Sequence, residues 1–353
     1  MIDSTYILAP QLVRVRFDVS PVLNAIESIR SFTEVDRLSG FSEWVMQTVM
    51  NLSREQRDLN LLIFSMCSSL FYDVMPVMTS PLDFPGYVDS VAARDPYQLR
   101  DALITAQHIA GLSPEQVMHD ESLFAKLACH GVPSNEVTLR QAFALYNDPP
   151  RLQATIVDHL RWVWSEFLAD EWQRVRPMLE ESVAAFERMD FSNMTAYEAI
   201  RAVTTRELRG ILDHHLEIID TVVFTPSAHI GPYVSRVNLG TTLYVVFGAR
   251  LPQGVQNMSS ALSRSELTIR LNALADDTRL RILELLTRND ELCAQDIIEN
   301  LNLSQSSISR HLSQLSANGF ITERRRDVAK CYSLNSERVS DTLRTLTNFL
   351  SRS

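Results

Sequence analysis

The sequence predicts an α+β fold, mostly α, in two domains. A helical domain with a small β-sheet covers residues 1–255, and a compact helical domain carrying a β-hairpin covers 256–353. Three observations predict it. Apolar residues recur at helical spacing through most of the chain, broken at Pro76, Pro81, Pro85, Pro96, Pro114, Pro133, Pro149 and Pro150. β-branched and aromatic residues gather in only a few short runs. The charge balance also changes near residue 255: 20 Arg plus Lys stand against 31 Asp plus Glu before it, and 13 against 12 after it. A length of 353 residues already exceeds the ~100–200 of one ordinary domain.

Taken in order, Val13 to Phe17 alternates apolar and basic side chains, the period-2 pattern of a half-exposed strand. Pro21 opens a helix with Val22, Leu23, Ile26 and Ile29 on one face, and comparable stripes follow at 41–52, 57–75, 97–110, 115–130, 137–147, 151–169, 171–188 and 195–219. Thr221 to Phe224 and Thr241 to Phe247 read as strands that join Val13 to Phe17 in one small sheet. Pro252 to Ser260 reads as the linker. Beyond it, Leu267, Leu271 and Leu274 stripe a first helix, and Asp277 or Thr278 caps a second. Leu292 to Leu301 is a third, Ser304 caps a fourth, and Gly319 falls where a left-handed residue ends it. Phe320 to Arg326 and Lys330 to Leu334 form a hairpin before a last helix over Ser336 to Arg352. Four helices, a hairpin and a helix make a winged helix-turn-helix.

Composition excludes several classes. With 45% hydrophobic and 22% charged residues the chain folds into packed cores. The longest uncharged run, Thr221 to Ser235, contains two prolines and a glycine and is too short to span a bilayer. No basic region precedes an apolar stretch at the N-terminus, so a cytoplasmic protein is expected. Cys67, Cys129, Cys293 and Cys331 lack CxxC spacing, which predicts reduced thiols and no bridges. There is no GxSxG, GxGxxG, Walker loop or HExxH, so neither catalysis nor a cofactor is expected.

The fourth helix of the second domain carries the functional signal. Ile308, Leu312 and Leu315 form its core stripe, leaving Gln305, Ser306, Ser307, Ser309, Arg310 and Ser313 outside. No acid occurs from Ser304 to Asn318. Small hydroxyls and one Arg let a helix enter a major groove and present donors and acceptors to base edges. The hairpin adds Arg324, Arg325, Arg326 and Lys330, the one dense basic patch of the chain, which suits phosphate contacts. Double-stranded DNA is the expected partner.

The segments Ala273 to Leu286, Glu291 to Ile297, Leu303 to Ile321 and Arg324 to Leu334 resemble the arsenic-repressor (ArsR-type) family of winged-helix transcription regulators. That resemblance covers about 90 residues and implies a homodimer held by the first and last helices of the domain, reading an imperfect palindromic operator. Leu267 and Leu271 on the first helix, and Val339, Leu343, Leu346, Phe349 and Leu350 on the last, would form the dimer contact. The metal-sensing members carry a Cys-x-Cys pair where this chain has Cys293 and Gln295, and the last helix here has no histidine. No metal site is therefore expected, and Cys293 reads as a small buried hydrophobe.

The front domain is far larger than dimerisation requires, which leaves room for a small-molecule effector. Trp162, Trp164, Phe167, Trp172 and Phe186 are candidate linings for an apolar ligand. Asp213, His214, His215 and Glu217 are metal-ligand types, but their spacing reads as a solvated helix end. The start of the domain, Val15, Arg16, Phe17, Ser20 and Pro21, resembles more weakly a group of long ArsR-like regulators. Two functions remain open: a ligand-responsive repressor, or an enzyme or scaffold domain fused to an autoregulatory DNA-binding tail.

Overall fold

The computed structural model describes residues 11–66, 83–105, 112–127, 136–206, 218–252, 260–326 and 329–351. Cys67, Cys129, Asp213, His214, His215 and Glu217 lie outside the described residues. The chain forms two compact units. One comprises Ser20–Arg37 and Phe41–Pro177; the other takes in the residues up to Val19, Leu38–Gly40 and everything from Met178 onward. The sheet and the winged helix thus share a unit.

The first unit is helical. Ser20 caps α1 (Pro21–Glu34) through its side chain, and Pro21 occupies the first helical position, where its missing N–H costs nothing. Then come α2 (Glu43–Asn51), α3 (Arg54–Met66), α4 (Phe84–Ala92), α5 (Pro96–Thr105), α6 (Pro114–Met118), α7 (Glu121–Phe124), α8 (Glu136–Tyr146) and α9 (Pro149–Val163). α9 packs on α4 and α5, and α1 on α2 and α3, around Ile26, Ile29, Phe84, Tyr87 and Ile156. The stripes at 151–169 and 171–188 are not separate helices. A π-turn at Trp164–Leu168 joins α9 to α10 (Ala169–Phe186), so the apolar face shifts phase without a break in the backbone. α10 crosses the division between the units at Pro177.

In the second unit a four-stranded sheet has the order β1-β2-β4-β3, from β1 (Arg14–Phe17), β2 (Thr221–Ser227), β3 (Val234–Leu239) and β4 (Thr242–Gly248). β1 and β4 both run parallel to β2, and β3 is antiparallel to β4. Pro226 sits inside β2 because β1 pairs only as far as Phe224, which leaves that edge of β2 without a ladder to break. The sequence reading lacked β3. The end of α10 and α11 (Ala196–Thr204) cover the sheet through Phe186, Ile200 and Val203, with Phe191 from the connection between them.

The same unit continues with α12 (Ser260–Leu274), α13 (Asp277–Arg288), β5 (Leu292–Cys293), α14 (Ala294–Leu301), α15 (Gln305–Ala317), β6 (Ile321–Arg326), β7 (Ala329–Leu334) and α16 (Ser336–Leu350). All but β5 are winged helix-turn-helix elements that the sequence predicts; Leu292 and Cys293, expected as the start of the third helix, form that short strand instead. The expectation of unbridged cysteines is corrected. β5 pairs antiparallel with β7, which sets Cys293 opposite Cys331, and the two form a disulfide. Cys293 is therefore not an isolated buried hydrophobe; a two-residue strand too short to signal itself in sequence brings the sulfurs together.

Candidate nucleic-acid interface

α15 is placed by its own stripe. Ile308, Leu312 and Leu315 are buried with Ile282, Ile297, Leu301 and Phe320 in the core of the winged helix. The Ser304 hydroxyl accepts a hydrogen bond from the Ser307 N–H at 3.3 Å and starts the helix. Gly319, at φ +77°, ends it, with the Phe320 N–H returning to the Leu315 carbonyl at 3.0 Å. Gln305, Ser306, Ser309 and Arg310 are exposed, and Ser307 and Ser313 half-buried. The turn ahead of the helix passes through Asn302 at φ 52°, a left-handed position that Asn tolerates. Further along α15, His311 is half-buried, with Nδ1 3.5 Å from Asp276, and burial lowers its pKa against the pull of that carboxylate.

The wing is a ladder in which Arg324 faces Cys331, Arg325 faces Lys330 and Arg326 faces Ala329. Not all of its charge is uncommitted. Arg324 donates to both oxygens of Glu291, at 3.1 and 3.0 Å, and Lys330 lies 2.9 Å from Glu323. Arg326 is exposed, and the Arg325 side chain lies outside the described residues. Among the described residues, no group of three or more His, Cys, Asp or Glu side chains is placed to hold a metal. No described helix is long and apolar enough to cross a membrane.

On the last helix, Leu343 and Leu350 are exposed by 54% and 67%, and Val339, Leu346 and Phe349 are half-buried. On α12, Leu271 is half-buried, whereas Leu267 is buried inside the protomer itself. The aromatic set does not form one lining. Trp162 meets Phe167 edge-on at 5.5 Å, and Trp164 stacks on Phe84 at 5.0 Å, all in the first unit. Trp172 is half-buried there too. Phe186 belongs to the other unit, fully buried between Phe17 and Phe247.

Sequence reasoning missed what supports the interface from behind. Gln314, on α15, accepts a hydrogen bond from the Ser39 hydroxyl, and the Ser39 carbonyl accepts one from Tyr233 at 2.6 Å. The Arg338 Nε donates to the carbonyl of Asn318, the residue that caps the end of α15, at 3.0 Å. Arg270 donates to Asp341 at 2.9 Å and also to Glu266, which Arg250 holds from the other side. Burial alone would raise the Glu266 carboxyl, but Arg250, Arg270 and Arg338 outweigh it and hold it at about 2. The i,i+4 spacing of Glu266 and Arg270 was legible; Arg250, sixteen residues before Glu266, gave no signal.

The winged helix is similar in sequence to known regulatory proteins. A family model for bacterial regulatory proteins of the arsR family matches residues 276–323. The arsenic resistance transcriptional regulator ArsR1 of Pseudomonas putida is 45% identical over 64 residues, which are 18% of this chain and 50% of that protein. The chain thus spans half the length of that relative. The transcriptional repressor SdpR of Bacillus subtilis is 38% identical over 80 residues, 23% of this chain and 88% of that protein. Among solved structures, HlyU from Vibrio cholerae is 29% identical and aligns over 27% of this chain and all of its own, with a TM-score of 0.22.

Proposed function

We propose, from the premise that the chain belongs to the arsR family of bacterial regulatory proteins, that it is a homodimeric repressor of transcription that reads duplex DNA with α15. The observation that carries this reading is the acid-free outer face of α15, with Gln305, Ser306, Ser309 and Arg310 exposed over a fully packed inner stripe. Arg326 and Arg325 on the wing contact phosphates, and Arg324 and Lys330 join them when they exchange Glu291 and Glu323 for DNA. Two copies meet through the apolar residues that α16 leaves exposed, Leu343 and Leu350, with Val339, Leu346, Phe349 and Leu271 beside them. The protein acts in the cytoplasm, where a chromosome is accessible, and the helical unit carries the response to an effector.

The test is a footprint and a binding titration on the DNA upstream of its own coding sequence. If each protomer neutralises roughly three to four phosphates, log affinity falls against log salt with a slope of about −5 to −7 for the dimer. Arg310→Ala or Ser307→Ala shifts base preference by about 1–3 kcal/mol at one step. Arg325→Ala weakens all sequences alike. A monomer at micromolar concentration that protects no duplex would overturn the reading. Half-buried Trp162, Trp164 and Trp172 make tryptophan emission the readout for an apolar effector in the first unit.

A further inference from the structure

The second unit holds a cavity of about 40 Å³. Its walls include Gly248 and Arg250 after β4, Glu266 and Arg270 of α12, Ala317 at the end of α15, and Arg338 of α16. Gly248 is fixed by this packing, since a Cβ there would fall 2.3 Å from the Gly231 carbonyl oxygen.

The charges around the cavity do not cancel. Arg250, Arg270 and Arg338 share two carboxylates, Glu266 and Asp341. Arg250 also donates to the Thr204 carbonyl and the Thr205 hydroxyl, both at 2.9 Å, and Arg338 to the Asn318 carbonyl. After these bonds, three buried donors keep no hydrogen-bond partner: Nε of Arg250, Nε of Arg270 and Nη1 of Arg338. The last lies 4.0 Å from Asp341, beyond hydrogen-bond reach. Arg270 and Arg338 are only 5% and 9% exposed, and buried cationic donors are ordinarily paired. Burial, with Arg250 and Arg270 alongside, pushes the Arg338 guanidinium down to about 9, which is the mark of a site short of negative charge.

We propose that this cavity is a binding site for a small oxyanion, the carboxylate or phosphate group of a ligand, received by the guanidinium groups of Arg250, Arg270 and Arg338, which line it. Its size suits such a group. A buried water needs roughly 10–15 Å³, so the cavity takes about three waters or one oxyanion head. Guanidinium N–H groups match oxyanions in both charge and geometry. A metal cation would meet three guanidiniums, and an apolar group would leave them unpaired. If α15 reads DNA as proposed above, the site also bears on the duplex: Arg338 holds the carbonyl of Asn318 at the end of α15, so an anion that draws on Arg338 shifts that helix.

The experiment is isothermal titration of the full-length protein, free of DNA, in a buffer without phosphate or carboxylate. Inorganic phosphate is titrated in one arm, acetate in a second and chloride in a third. Saturation at one site per chain is expected with phosphate or acetate and not with chloride. The oxyanion that binds distinguishes a phosphate source from a carboxylate source. Arg338→Gln weakens that binding at least tenfold. Ala317→Leu does the same by filling the cavity while every charge stays in place, with circular dichroism confirming that both variants remain folded. Saturation by neither oxyanion, or binding within twofold of the parent in both folded variants, overturns the site. Operator affinity measured with and without the bound anion is a separate readout. A chain that binds phosphate or acetate but no duplex keeps this site and loses the DNA-binding reading.

Discussion

Two arginine–glutamate contacts in the same unit differ chiefly in their surroundings. On the wing, Arg324 grips Glu291 with side chains 70% and 25% exposed. Behind α15, Arg250 and Arg270 grip Glu266 with side chains 13%, 6% and 20% exposed. Water screens the first pair to about 0–1 kcal/mol, so Arg324 can leave Glu291 for a phosphate at little cost. The second set has surrendered its hydration and depends on mutual pairing. The contrast teaches that the same two residue types form a loosely held pair at the surface and a structural commitment inside.

Removing the buried carboxylate should break that contrast most sharply. Glu266→Ala leaves three guanidiniums facing Asp341 alone, and the expected loss is about 3–5 kcal/mol of stability, read by denaturant unfolding. Adding Arg338→Ala should return part of it, because one uncompensated charge goes. A loss under 1 kcal/mol in the single variant would place Glu266 on the same footing as Glu291.

Acid offers a second test, this time with two buried groups. His159 is 3% exposed, with Nε2 2.7 Å from the Asn60 side-chain oxygen, and burial lowers its pKa to about 4. Its unfolded value is near 6.5, so the unfolded chain binds the proton first as pH falls. Stability is fully present above pH 6.5 and declines by about 3 kcal/mol as pH drops toward 4. Glu266, also lowered, gives the same sign in a lower window, from about 4.5 down to 2. His159→Gln should flatten the upper window alone; an unchanged slope there would remove His159 from the account.

Reducing the Cys293–Cys331 bridge sharpens the picture of the wing, since it frees a segment 38 residues long. The expected cost is about 2–4 kcal/mol, read as a lower melting transition in dithiothreitol that Cys293→Ser reproduces without reductant. The smallest effect belongs to the exposed pair. Glu291→Ala should cost less than about 1 kcal/mol of stability and should strengthen duplex binding at low salt, because Arg324 no longer has a competing carboxylate. Weaker binding in that variant would mean that Glu291 positions Arg324 for DNA.

Much of the winged helix was legible because its signals are local. The 3.6-residue stripe of Ile308, Leu312 and Leu315, the Ser304 cap and the left-handed Gly319 each act within a turn or two of chain, and the structure has all three. The sheet was legible in part: strands β1, β2 and β4 announced themselves through β-branched residues, while β3 carries Ser235, Arg236 and Asn238 and is a strand only because β4 pairs with it. The tryptophans were read as one group because they are close in sequence, yet Trp162 and Trp164 turn to different ring partners across the π-turn.

By itself, then, the sequence determined the helices, the outer face of α15, the basic wing and the family to which they belong, because periodicity, capping and charge are properties of neighbouring residues. Tertiary structure alone decided that Cys331 lies opposite Cys293, that Ser39 supports Gln314, and that Arg250 completes a cluster with Glu266, Arg270 and Arg338. Apart from Glu266 and Arg270, which are four residues apart, those partners are separated by many residues, and no spacing rule connects them. Their energies come from burial, which exists only once the chain has folded and water has been excluded.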